Sequence, residues 1–379
     1  MTLSGVAGCI DEKTKSENCV SRLNTTDEAV RTEGGAPHGK LDVVGTRGAI
    51  YVPARAFNLY QMWHDYEPAV VERDFDYATD VNLNAIRTWL CYEAWVEDST
   101  AQKRALDHFL EAAEDRGLSV LLGLFDGVGM DPTQKRLTNT NPITATGVSS
   151  PSKDVLQNPH RWETPKQFVA WFMAVYGDDD RLLGIEVMNE PGWKPYRKRF
   201  AHEMFETLKR WRASIPLTVG STSIANNTEY VDWGSEIIQF HYNFPSDRAT
   251  YWDMLRQVNE LATQLDEPVW LTEWQRARHG RGFTSEPKAG EKSPNYSSLA
   301  PLIHRAGLGN FFWSLMVKPA WVQPQRKNGV LSGLFHEDGA VWSLDDARAL
   351  KAMSGDPAFD GEERKEWPEW AARIPEQLP

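Results

Sequence analysis

Cysteine is scarce in this chain: Cys9, Cys19 and Cys91 are the only three among 379 residues. An odd, small count leaves at least one thiol unpaired and excludes a disulfide scaffold. Metal-ligand spacing is missing too. His202-Glu203-Met204-Phe205-Glu206 opens like a zinc-protease helix, but its fifth position is Glu where the motif needs His. Nor is there a surplus of basic charge: 41 Lys and Arg against 53 Asp and Glu leave a net charge of -12. That balance disfavours nucleic acid as a partner and leaves neutral or cationic ones. No apolar run approaches the ~20 residues needed to cross a bilayer, so no transmembrane segment is expected.

What the chain has in quantity is tryptophan, 16 residues of it. Indole rings stack on flat apolar faces and keep one N–H for a polar partner, as either core residues or platforms for a ring-shaped ligand. The amino terminus contains Val6-Ala7-Gly8-Cys9, which is similar to a lipoprotein cleavage box, although neither a charged start nor an apolar segment precedes it. A lipid anchor at Cys9 is expected only if the start site is truncated, and the polar residues 10–40 read as a flexible N-terminal segment.

From about residue 41 strand-like runs alternate with amphipathic helical runs, the pattern of parallel βα units. Eight strands are predicted: Ala56–Met62, Leu83–Leu90, Ser119–Phe125, Leu182–Asn189, Leu217–Ser221, Ile237–Tyr242, Val269–Glu273 and Asn310–Leu315. Helices are predicted at Ala101–Arg116, Pro165–Tyr176, Pro195–Ala213 and Tyr251–Leu265 from apolar residues spaced three and four apart. Thr164 reads as a cap before Pro165, and Gly117 as a helix stop. Eight such units predict a single-domain (β/α)8 TIM barrel over residues 41–353. Leu41–Gly45 and Ala49–Val52 read as a hairpin plugging its bottom. Residues 127–160, rich in Asn, Thr, Ser and Pro, form a long insertion after the third strand, and the tail 354–379 is expected to pack loosely outside.

In such a barrel the functional residues sit at the carboxyl ends of the strands. These ends read Trp63-His64-Asp65, Arg87-Thr88-Trp89, Asp126, Asn189-Glu190, His241-Tyr242-Asn243, Glu273-Trp274 and Trp313. A Glu delivered from each of two strand ends is the arrangement needed to cleave a glycosidic bond with two carboxyl groups. No Gly-rich phosphate loop follows the last two strands, which argues against a phosphate-binding barrel.

Over roughly residues 50–345 the chain resembles the retaining clan-A glycoside hydrolases of the family 5 (cellulase/mannanase) type. Asn189-Glu190-Pro191 with Glu273 is the most specific part of that likeness. Arg87, the His241/Tyr242 pair and Trp313 fill places where such enzymes keep an arginine, a histidine and tyrosine, and a stacking tryptophan. Two departures stand out: Leu124-Phe125-Asp126 lacks the usual histidine after strand three, and His241 and Tyr242 are adjacent rather than separated by one residue. The resemblance implies hydrolysis of a β-linked carbohydrate without a cofactor or metal, with Glu190 as acid/base and Glu273 as nucleophile. The alternatives are transglycosylation on the same scaffold or a non-catalytic carbohydrate-binding barrel.

Physical expectations accompany those roles. Arg87 beside Glu273 would keep the nucleophile ionised, and Asn189 would offer its amide to the sugar 2-OH. Adjacent strand residues face opposite ways, so one of His241 and Tyr242 points into the mouth, and Tyr242 is the one expected near the nucleophile. Glu186 is expected deeper in the barrel as a structural acid. Asp65, Glu93 and Asp126 could meet sugar hydroxyls. Trp63, Trp89, Trp193, Trp274 and Trp321 could serve as stacking platforms beside Trp313.

Overall fold

The computed structural model describes residues 42–192, 194–243, 245–276, 294–327 and 329–374. The Val-Ala-Gly-Cys box, the predicted tether and Trp193 lie outside the described residues.

Eight parallel strands alternate with helices: β1 (Arg47–Ile50), β2 (Ala85–Trp89), β3 (Ser119–Asp126), β4 (Leu182–Asn189), β5 (Leu217–Gly220), β6 (Ile238–His241), β7 (Val269–Trp274) and β8 (Gly309–Phe312). They run β5-β4-β3-β2-β1-β8-β7-β6, and a parallel bridge between Thr218 and Ile237 joins the two edges. The fold is a (β/α)8 barrel, as the alternation predicts.

Strand one is a correction. Ala56–Met62 is not a strand; Leu59–His64 is a helix, started by Asn58, whose side chain accepts from the Gln61 backbone N–H. The true first strand lies in the segment assigned to a plugging hairpin. Asp42 turns the chain by accepting from Gly45 N–H at 2.7 Å, and Arg47–Ile50 then pairs with both β2 and β8. The Asn58 cap is a local signal that outweighs the strand-like look of the short apolar run around it.

The helix predictions hold with boundaries shifted by a few residues, apart from an earlier start to the first. The first runs Tyr92–Glu114 but breaks at Asp98 (φ -149°, ψ 89°). There the Asp98 carboxylate accepts from Thr100 and Ala101 N–H and restarts the helix where the sequence pattern begins it. Gly117 ends that segment at φ +67°. The second runs Glu163–Tyr176, so Thr164 lies inside it and does not cap it. Pro195–Arg210 and Arg248–Leu265 complete the set.

Aromatic rings fill the space between sheet and helices. Phe125 of β3 meets Phe168 and Phe200 edge-to-face at 5.3 and 5.0 Å. Each such fully buried ring contributes roughly 1.5–3 kcal/mol through burial, and edge-to-face contacts add about 0.5–1.5 kcal/mol. The described part of the tail, residues 354–374, stays largely exposed but is anchored to the barrel: Ala371 and Ile374 are buried, Glu363 is bridged to Val341, and Trp370 lies edge-on to Phe57 at 6.0 Å.

Candidate active site

The site begins with a charged layer inside the barrel mouth. Arg87 on β2 and Glu186 on β4 are both fully buried and paired, with Arg87 Nη2 and Nε at 2.8 and 3.0 Å from Glu186 Oε2. Trp89 donates its indole N–H to Glu186 Oε1 at 2.9 Å and lies under the Arg87 guanidinium, 4.5 Å from ring centre. Gly123 on β3 makes this possible, because a Cβ there would lie 2.0 Å from the Trp89 ring. Arg87 also donates to Thr272 O and to Asn189 Oδ1, each at 3.0 Å. A buried charge must be paired and hydrogen-bonded, and here both partners are.

On that layer stand the two candidate carboxylates. Glu190 follows the last residue of β4 with φ +44°, a left-handed conformation that costs a non-glycine residue ~1–2 kcal/mol. Its backbone N–H is held by Gly220 O at 2.9 Å. Glu273 comes from β7. Between them lies His241 of β6, its Nδ1 2.7 Å from Glu190 Oε1 and 3.8 Å from Glu273 Oε2. Carboxylate oxygens of Glu190 and Glu273 and a ring nitrogen of His241 all lie within 4.8 Å of one another. This trio could in principle ligate a cation. Its nitrogen and both acids are already engaged in hydrogen bonds, an arrangement suited to holding and moving protons.

Electrostatics separate the groups. Burial pushes Glu190 up to about 7, opposed by Arg87 and Arg197. Glu273 is also raised by burial and by the neighbouring Glu190, but Arg87 and an Asn243 hydrogen bond pull it back. Asp126 is pushed up to about 7 by burial, against hydrogen bonds from Val128 N–H and Asn189 Nδ2. Burial lowers His241 to about 4, so it is a neutral imidazole near pH 7.

The structure redistributes several roles read from the sequence. Arg87 reaches Glu273 at only 3.9 Å, and its closest partner is Glu186, which is the buried structural acid expected. His241, not Tyr242, points between the carboxylates; the Tyr242 ring turns away to stack on Tyr251 at 4.9 Å. The position beside the nucleophile candidate goes to Asn243, whose Nδ2 donates to Glu273 Oε1 at 2.8 Å. In the sequence Asn243 closes the same strand end without an assigned role, although it shares strand parity with His241, two positions on.

Of the tryptophans, Trp313 and Trp321 line the cleft, perpendicular to each other with centroids 5.9 Å apart, and Trp89 lines its floor. Trp274 is a core residue, fully buried and bonded to Asn310 Oδ1 at 3.0 Å. Trp63 is buried on its helix, donating to Trp89 O and stacked on Tyr66. Neither is a platform. Among the acids, Asp126 lines the cleft, Asp65 is exposed beside His64, and Glu93 hydrogen-bonds Ser150 at 2.6 Å. Val128, Gln275, Val322 and Gln325 complete the lining and carried no motif signal.

A (β/α)8 barrel with two glutamates facing each other across its mouth is the class that fold and site define. No protein-family model matches the sequence, nor does any curated protein sequence. Among solved structures, the chain is similar to an exo-β-1,4-mannosidase from Opitutaceae bacterium strain TAV5 at 18% identity and TM-score 0.60, over 81% of this chain and 58% of that one. This chain thus spans less than two thirds of that protein's length. It is similar to a glycoside hydrolase family 5 mannosidase from Rhizomucor miehei at 13% identity and TM-score 0.56, over 88% and 94%. It is also similar to an endo-1,4-β-mannanase from the same organism at 13% identity and TM-score 0.53, over 80% and 95%. The fold is the one these glycoside hydrolases use.

Proposed function

We propose that the protein is a retaining β-glycoside hydrolase acting on a β-linked oligo- or polysaccharide of the mannan or glucan type. The observation that carries this reading is the approach of Glu190 and Glu273, with oxygens within 4.8 Å. Carboxyl groups ~5–5.5 Å apart suit double displacement, whereas direct attack by water needs ~6.5–9.5 Å to admit it. The mannosidases and mannanase among the fold neighbours support the sugar class.

In the first step Glu273 attacks the anomeric carbon while the glycosidic C–O bond breaks and Glu190 gives its proton to the departing oxygen. Glu190, held near 7, is still substantially protonated at neutral pH. Glu273, hydrogen-bonded by Asn243 and close to Arg87, is the better placed to be ionised. The glycosyl ester removes the negative charge of Glu273, which lowers the proton affinity of Glu190. Glu190 then takes a proton from water as the water oxygen attacks the anomeric carbon, and the original configuration returns. Neutral His241 keeps Glu190 aimed through its Nδ1, and Asn189, fixed between Arg87 and Asp126, presents its remaining amide N–H towards the sugar 2-OH.

Mutation of the pair tests the reading. Glu273→Gln should leave a folded protein without turnover. Glu190→Ala should retain slow activity only on aryl β-glycosides with good leaving groups, partly restored by azide with a β-glycosyl azide as product. Turnover by Glu273→Gln at the parent rate would refute the assignment.

A further inference from the structure

Two buried cations, Lys318 and Arg326, have no part in the chemistry above, and each is about 1% exposed. Both lie in the segment after β8, and both bind backbone carbonyls of other loops. Lys318 Nζ donates to Pro53 O and Ala56 O, in the loop after β1, at 3.0 and 2.6 Å. Arg326 donates to Pro142 O and Ala145 O in the insertion after β3, and to Ala320 O in its own loop. The β1 loop is tied to the same insertion by Gln61, whose amide donates to Leu137 O and Asn139 O at 2.8 and 2.9 Å.

Strands β8 and β3 are not neighbours; β1 and β2 stand between them. Loops that meet across that distance form a continuous wall over the β8-β1-β2-β3 arc of the mouth. The junction is tight. Gly147 N–H donates to Trp321 O at 3.1 Å, and a Cβ on Gly147 would lie 2.0 Å from the Trp321 indole nitrogen. Trp321 therefore seals against the insertion and makes a right-angled corner with Trp313. The cavity left between this corner and the two glutamates is about 250 Å³. That is below the ~300–1,000 Å³ of sites that enclose drug-sized ligands, and it suits one sugar ring better than a run of them.

The walled side is the side of the sugar whose anomeric carbon reacts, because Trp313, which would meet its apolar face, stands at the end of β8, and Asn189, which would hold its 2-OH, is bonded from β4 to Arg87 of β2 and Asp126 of β3. Resting on the hydrolase reading above, we propose that the wall limits that side to one residue. The protein then removes single sugars from the non-reducing ends of chains and does not cut within them. Lys318 and Arg326 are positioning residues that hold the wall shut.

The test uses β-1,4-linked mannopentaose and cellopentaose labelled at the reducing end, with an aryl β-monoglycoside alongside. The expected first labelled product from the cleaved pentaose is the tetraose, followed by the triose, with free monosaccharide appearing in step. Labelled biose or triose in the first turnovers, with the aryl glycoside also hydrolysed, overturns the chain-end proposal and leaves the hydrolase reading intact. No product from any of the three overturns both. In Arg326→Leu, internal cleavage should rise about tenfold relative to terminal release while aryl-glycoside hydrolysis persists. An unchanged product pattern in a folded Arg326→Leu protein removes Arg326 from the proposal, and the wild-type pattern decides the rest even if this variant does not fold.

Discussion

Burial does opposite things to the three titrating groups of the candidate site, and the pH profile expected of the proposed hydrolase follows from that. It raises Glu190 to about 7 and Glu273 above its ordinary range, and lowers His241 to about 4. With Glu190 as the proposed proton donor, its proton is lost as pH climbs, so kcat/KM should fall above about pH 7. Its acid limb should reflect Glu273 rather than the imidazole, lying above the ordinary carboxylate value, and the two limbs belong to the pair as a whole. A rate profile on an aryl glycoside with a poor leaving group measures both. Asn243 supplies a hydrogen bond that lowers Glu273. Asn243→Ala should therefore shift the acid limb to higher pH and reduce kcat about 10–100-fold, since a hydrogen bond to a charged group contributes about 1.5–3 kcal/mol. An unshifted limb in a folded variant would remove Asn243 from this role.

Among the elements, β2 and β4 are joined through their side chains as well as through the barrel wall. The Arg87–Glu186 pair is fully buried, and Trp89 and Asn189 complete its hydrogen bonds. Glu186→Ala would leave an uncompensated guanidinium in the barrel, and removing one partner of a buried pair costs about 3–5 kcal/mol. The midpoint of denaturant unfolding should drop accordingly, and a drop below 1 kcal/mol would show that water or Glu273 takes over the pairing. Elements are also where sequence reading succeeded and failed for identifiable reasons. Leu182–Asn189 is a long apolar run ended by Asn-Glu-Pro, and its strand has those bounds. Ala56–Met62 mimics a strand because it is a short run, apolar except at Asn58 and Gln61, that periodicity alone does not separate from a helix, and the Asn58 cap makes the second half a helix. The four residues of β1 are too short for periodicity to register; contacts with β2 and β8 make them a strand.

Over the whole molecule, several acids are kept proton-rich by folding. Asp74 is raised to about 6, and Glu93, Asp126 and Glu190 to about 7, each chiefly by burial. In that range the folded state binds more protons than the unfolded chain, so these groups contribute stability that is present near pH 4.5 and lost as pH rises through 7. His241, lowered to about 4, and His336, also lowered by burial, act in the opposite sense below about 6.5, but they are two groups against four. The thermal midpoint should therefore be higher at pH 5 than at pH 7. Asp179, Glu203, Asp338 and Glu363, all lowered mainly through contacts with Arg or Lys, set the acid-side loss below about pH 4. A midpoint that rises steadily from pH 5 to 7 would contradict the burial of Asp74, Glu93, Asp126 and Glu190.

The sequence by itself determined the barrel, the two glutamates and the strands that carry them, because hydrophobic period and strand-end chemistry are local properties that survive without coordinates. It also marked Arg87, Asn189, Asp126 and Trp313 as residues of the mouth. Only the tertiary structure decided that His241 rather than Tyr242 stands between the acids, that Asn243 holds Glu273, that Trp63 and Trp274 are core, and that the loops after β8, β1 and β3 close into one wall. Those outcomes depend on which way a side chain turns at a strand's end and on contacts between segments more than a hundred positions apart, such as Gly147 with Trp321. Neither leaves a periodic trace in the chain.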